Sequence, residues 1–168
     1  MQTLPSNYTE RAELTIPAFG NTPEVRLDIS SIREAEHRLI EAKVVNPATY
    51  SELEYTFNEG YRQARKHLSL IGYEITKAKK ALLEAKSETI LDLYPLFLKE
   101  SKMKDSTHVR EAFLQRQINY VSAQDRIDML TALESFMDGK IRVFENVTRY
   151  CRKEIDIVIR SGINSNKY

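Results

Sequence analysis

Residues 57–85 read FNEGYRQARKHLSLIGYEITKAKKALLEA, and this stretch decides the fold. Phe57, Tyr61, Ala64, Leu68, Ile71, Ile75, Ala78, Leu82 and Ala85 succeed one another by alternating steps of four and three. That is a heptad seam about four heptads long, the signature of a supercoiling helix. Tyr50 and Leu53 extend it backwards. Gly60 and Gly72 weaken the helix without breaking the pattern. Asn46-Pro47 supplies its start, with Asn as N-cap and Pro in the first helical position. Pro95 is expected to end or kink it near Tyr94.

The chain downstream repeats the theme. Residues 99–107 are polar and read as a turn, and Ser106 or Thr107 can cap the next helix. Phe113, Tyr120, Ala123, Ile127, Leu130, Leu133, Met137, Ile141, Phe144, Cys151, Ile155 and Val158 continue at helical spacing, with Gly162 as the expected C-cap and 163–168 as a tail. The two long helices, about 47–94 and 106–161, are each on the order of 70–80 Å long at the helical rise. A short connection makes them antiparallel neighbours.

Upstream, Ser31-Ile32-Arg33-Glu34 matches a capping box, so a short helix is expected over 31–44 with Ile32, Ala35, Leu39 and Ala42 on one face. Residues 1–30 hold Pro5, Pro17, Gly20 and Pro23. Leu14-Thr15-Ile16 and Val25–Ile29 have strand character, compatible with a hairpin around Phe19-Gly20-Asn21 or with a segment lying on another surface. The segment reads as an extended N-terminal arm. The expected fold is therefore all-α: a long antiparallel two-helix hairpin, a short extra helix and an arm. Two helices leave half of each apolar stripe wet, so assembly into a helical homo-oligomer is expected.

The 168 residues, 42% hydrophobic and 29% charged, suit one folded domain. The N-terminus has no basic region succeeded by an apolar one, and no apolar run approaches the ~20 residues of a membrane span. The lone Cys151 points to a reducing compartment. The expected location is cytoplasmic, with no membrane partner.

Catalytic and metal signatures are sparse. Glu34-Ala35-Glu36-His37 is a single E-x-x-H, whereas helical di-iron sites need two with further glutamates. His67 and His108 lack metal-ligand spacing. No Gly-rich phosphate loop or nucleophile motif is visible. The sequence predicts no enzyme, no cofactor and no metal.

Charge is more informative. The whole chain carries only +1, but residues 62–80 hold Arg62, Arg65, Lys66, Lys77, Lys79 and Lys80 against Glu74 alone. Residues 140–153 hold Lys140, Arg142, Arg149, Arg152 and Lys153 against Glu145 alone. Folding the hairpin about residue 103 places residue 62 beside residue 144, so the Arg62–Lys66 and Lys140–Arg149 clusters would share a basic zone. Clustered cations neutralise phosphates, and aromatic faces such as Tyr73 and Tyr150 stack on single-stranded bases. Solvation of a coiled coil's outer faces explains the same residues.

Lys79-Lys80-Ala81-Leu82-Leu83-Glu84-Ala85-Lys86 is similar to a motif of the UvsY-type recombination mediators of tailed phages, a Lys-Lys run leading to a Lys-Ala-Arg. Lys79, Lys80, Leu83 and Ala85 match, Lys86 stands in for the arginine, and Glu84 stands where that family has lysine. Tyr61 takes the place of an upstream aromatic. Tyr150-Cys151, Ile155-Asp156 and Arg160-Ser161-Gly162 resemble the family's C-terminal region. The resemblance covers about residues 50–162. It implies a ring-like oligomer that binds single-stranded DNA and helps load a RecA-like recombinase in place of a single-strand-binding protein. The alternative is a helical structural or assembly protein, such as a phage particle or scaffold component, acting through protein–protein contacts.

Overall fold

The computed structural model describes residues 12–41 and 47–165. Residues 1–11 of the arm, the expected end of the short helix with its junction at Asn46, and residues 166–168 of the tail lie outside the described residues. The elements are β1 (Glu13–Ile16), β2 (Val25–Asp28), α1 (Ser30–Glu41), α2 (Pro47–Glu88), a π-helical turn (Thr89–Leu93), α3 (Tyr94–Ser101), α4 (Thr107–Leu114) and α5 (Ile118–Ser165). They fall into two compact units. One comprises residues up to 69 with those from 135 onward, and the other residues 70–134.

In the first unit, the segment read as an arm is a docked β-hairpin over residues 13–28. β1 and β2 pair antiparallel, Leu14 opposite Leu27 and Ile16 opposite Val25. The connection closes on Phe19 and Thr22, which exchange backbone hydrogen bonds of 2.9 and 2.8 Å. Gly20 takes the left-handed φ of +54° that this tight turn requires. Ile16, Leu27 and Ile29 are fully buried, so the hairpin's apolar side is part of the core. Buried His67 bonds through Nε2 to the Asp28 carbonyl, tying the hairpin's exit to α2.

The start of α1 differs from the capping box. The helix begins at Ser30, whose backbone N–H donates to the Asp28 carboxylate at 2.9 Å. That bond holds the Asp28 carboxyl below the usual carboxylate range. The Ile32 N–H donates to Gln63 Oε1 of α2 at 3.1 Å. A carboxylate from the hairpin and an amide from α2 thus satisfy two first-turn donors, the Ser30 and Ile32 N–H groups.

α1 buries Ile32 and Ala35 against α2. The approach is close at Gly60, where a Cβ would stand 2.8 Å from the Ala35 Cβ and 3.2 Å from Phe144 Cε2. At Gly72 of the second unit a Cβ would meet nothing within 4 Å. Gly72→Ala is therefore expected to stabilise the protein by about 1 kcal/mol through helix propensity. Gly60→Ala is expected to destabilise it by about 1–3 kcal/mol through overpacking. Urea unfolding of the two variants checks the opposite signs.

α2 and α5 pack antiparallel in the first unit. Phe57 stacks on Phe144 with centroids 6.5 Å apart, and Glu54 meets Arg152. Ala64, Met137, Ile141 and Cys151 complete the buried seam. Val158, placed on that seam by its spacing, is instead 45% exposed.

In the second unit the seam continues through Ile71, Ile75, Ala78 and Ala85 of α2 and Ala123 and Leu130 of α5. Near Pro95 the α-helical geometry of the first long helix is interrupted, in keeping with the expected end or kink, and the helix then resumes. The chain widens into a π turn in which the Tyr94 N–H bonds to the Thr89 carbonyl, and Pro95 then sits in the first turn of α3. A π turn relieves the clash that a proline ring makes with the preceding turn. The reversal falls at 102–106, opened by Lys102 at φ 54° and closed by the Ser106 side chain accepting from the Val109 N–H.

The second long helix is likewise not continuous from 106. It breaks at 115–117, where Arg116 and Gln117 donate to carbonyls only three residues back. Phe113 leaves the expected seam to stack on Phe97 at 4.6 Å, with Tyr94 5.5 Å away. The Tyr94 hydroxyl donates to Asp105, which also pairs with Arg110 at 3.0 Å. This local aromatic core fixes the turn. At the other end α5 runs through Gly162 to Ser165, so Gly162 is not its cap. No described helix is long and apolar enough to cross a membrane.

Candidate nucleic-acid interface

The predicted register is close to the observed one. Tyr61 and Phe144 line one cleft of about 310 Å³ with Asn58, Glu145, Thr148, Arg149 and Arg152. The cations of this first unit, however, do not make a basic zone, because most are matched by carboxylates. Arg62 pairs with Glu59 at 2.8 Å, an i, i+3 contact on the helix surface. Arg65 lies 3.6 Å from Glu145 and donates to the Tyr61 hydroxyl. Arg142 pairs with Asp138 at 2.7 Å. Lys140 is half-buried against Glu36, which Arg33 also contacts.

Arg152 binds Glu54 at 2.6 Å and the Tyr50 hydroxyl at 3.2 Å. Its hydrogen bond holds the Glu54 carboxyl below the usual range. Lys66 is exposed on the side of Asp28, whose carboxyl feels its charge. Arg149 and Lys153 are exposed and make no ion pair among the described residues.

The second unit distributes its cations differently. Glu74 is buried, and it takes Lys77 at 2.9 Å and the buried Arg126 at 3.6 Å. Tyr73 is 62% exposed with the Lys77 ammonium 4.4 Å from its ring centre. Lys80 is 3.8 Å from Glu84, an exposed i, i+4 pair. Lys79 and Lys86 are exposed, and neither has a carboxylate partner among the described residues. Seven residues apart, they share one helix face, with Leu83 (64% exposed) between them.

The thirteen residues singled out by charge and motif thus separate into two groups. Arg62, Arg65, Lys77, Lys80, Lys140, Arg142 and Arg152 are committed to carboxylates. Lys79, Lys86, Arg149, Lys153 and, more loosely, Lys66 remain open to an external anion, with Tyr73 open to stacking. The sequence missed the Glu74–Arg126 pair, whose members lie 52 positions apart with no local pattern joining them. The E-x-x-H histidine, His37, lies 3.3 Å from Glu41. Among the described residues no three His, Cys, Asp or Glu side chains converge for a metal ion. Neither a protein-family model, nor a curated protein, nor a solved structure matches this chain.

Proposed function

We propose that the chain is an oligomeric single-stranded-DNA-binding recombination mediator that helps load a RecA-like recombinase in place of a single-strand-binding protein in the cytoplasm. The observation that carries this reading is the exposed face of α2 in the 70–134 unit. There Lys79, Leu83 and Lys86 lie in a row, and the exposed Tyr73 stands on a neighbouring face, about 120° round the helix from Lys79. Uncommitted ammonium groups attract phosphates, and an exposed ring on the same helix offers a base a stacking surface. Lys79, Leu83 and Lys86 are also among the residues that resemble the UvsY-type motif. The proposed activity is binding, with no chemical step.

Fluorescence anisotropy of a labelled single strand at two salt concentrations tests it, with duplex DNA as the control. Tight, salt-sensitive binding that favours the single strand is expected. Replacing Lys79 and Lys86 with Ala should reduce the salt slope by about 0.7 log units per lysine. Tyr73→Ala should weaken binding by about 1–3 kcal/mol if the ring stacks on a base. Replacing Arg62 and Arg142, already held by Glu59 and Asp138, should change little. Absence of binding at low salt, or equal binding of duplex, removes this reading. The second reading, an assembly protein acting only through protein contacts, then takes its place, drawing on exposed apolar side chains along α5.

A further inference from the structure

Two ion pairs bridge α2 and α5 in the first unit. Glu54 meets Arg152 at 2.6 Å, and Arg65 lies 3.6 Å from Glu145. The cleft of about 310 Å³ falls between these bridges. Along α2, its lining residues Asn58 and Tyr61 stand between Glu54 and Arg65. Along α5, Thr148 and Arg149 stand between Glu145 and Arg152. Asn58 and Thr148 are short side chains on facing helices, and they leave the space open. The buried Phe144 ring is its floor, held by the stack on Phe57. The Tyr61 ring is a wall. Arg65 fixes it, with its guanidinium 5.4 Å from the ring centre and its Nε donating to the hydroxyl at 3.1 Å.

Four of the charges around the cleft cancel in pairs, Glu54 with Arg152 and Glu145 with Arg65. Arg149 is left over. It is exposed at the rim and makes no ion pair among the described residues. Glu145, one turn before it on α5, is drawn instead to Arg65 of α2. The Asn58 and Thr148 side chains have no hydrogen-bond partner among the described residues. The cleft therefore presents one uncompensated positive charge, an amide and a hydroxyl, set against an aromatic wall and floor. A few fixed polar groups in an apolar concavity of roughly 300–1,000 Å³ are the makeup of a small-molecule site.

We propose that this cleft binds a small organic monoanion with a flat aromatic body, of the aryl monocarboxylate class. The Arg149 guanidinium takes the carboxylate through two parallel N–H donors, a geometry its planar fork matches. The aromatic body lies against Tyr61 over Phe144. Asn58 and Thr148 meet polar substituents at the edge of that body. A single net positive charge favours a monoanion over a dianion, and the bridges at both ends limit the length of the ligand. The inference goes beyond the mediator reading. Its test contains no DNA, so it passes or fails independently of nucleic-acid binding.

The test is a fluorescence titration of salicylate with the full chain, whose lack of Trp leaves the salicylate emission free of indole background. Saturable binding of a single salicylate per chain is expected. The neutral isostere salicylamide should bind about tenfold more weakly or worse, since it lacks the charge-assisted bonds. Arg149→Gln, at an exposed position, should weaken salicylate binding about tenfold and leave the helical circular dichroism unchanged. Lys153→Gln makes the same change of charge one turn further along α5, outside the cleft, and should alter binding less than about twofold. Asn58→Leu with Thr148→Leu fills the space and should abolish binding, with thermal unfolding reporting that the variant is folded. Absence of saturable binding by wild type overturns the proposal. So does equal binding of salicylamide, an equal loss in the Arg149 and Lys153 variants, or a folded Asn58 and Thr148 double variant that binds as wild type.

Discussion

Glu74→Met is expected to destabilise the protein by about 3–5 kcal/mol, the effect of removing one member of a buried ion pair. The Glu74 and Arg126 side chains are only 6% and 5% exposed, and their charged groups lie 3.6 Å apart between α2 and α5. Without the Glu74 carboxylate, the Arg126 guanidinium keeps its buried position but loses that counter-charge. Arg126→Met is expected to cost less, about 3 kcal/mol, because Glu74 still holds Lys77 at 2.9 Å.

The double change to methionine fills the same space with apolar groups and should fall within about 1 kcal/mol of wild type. Urea unfolding of the four proteins closes the cycle. Single-change costs that simply add would mean that the two side chains are not coupled.

Phe144→Ala is expected to cost about 3–5 kcal/mol in the first unit. The ring is fully buried, stacks on Phe57 and walls the Gly60 approach of α1 to α2. Its loss opens a cavity where three helices meet, and the Ala35–Gly60 contact limits how far the helices can close over it. Phe144→Leu retains most of the volume and should cost less than about 1.5 kcal/mol. Tyr55→Ala, at a position 69% exposed, should change stability by less than about 0.5 kcal/mol. Equal costs for Phe144→Ala and Tyr55→Ala would refute the Phe57–Phe144 packing.

The two stability experiments probe different units and different physics. The first tests electrostatics in a dry seam, the second shape. Neither touches the residues proposed to meet DNA, because those side chains are exposed and contribute little to folding. Variants at Lys79, Lys86 and Tyr73 should accordingly fold as wild type. A binding loss in them reports on the interface itself.

The sequence alone determined the all-α class, the α2 seam and the antiparallel register near residues 61 and 144, with the short helix marked by Ser31–Glu34 and the reversal by the polar run 99–107. Those features arise from helical spacing, capping residues and polar runs, properties local to the sequence. The hairpin was legible only as one of two options. Leu14, Ile16, Val25 and Leu27 alternate as a half-buried strand pair should, but whether that face finds a core depends on α1 and α2.

An interruption at Pro95 was legible but its π form was not, and the break at 115–117 was not legible at all. No Gly or Pro marks residues 115–117, and the break is set by Phe113 turning into the Tyr94–Phe97 cluster. The basic zone was where sequence reasoning erred most. Counting Lys and Arg within a window ignores carboxylates that arrive from elsewhere: Glu36 to Lys140, Glu54 to Arg152 and Glu145 to Arg65. Spacing can tell which side chains share a helix face. Which cations stay open to a ligand is decided only when distant segments pack, because electrostatic pairing depends on distance in space and not on distance along the chain.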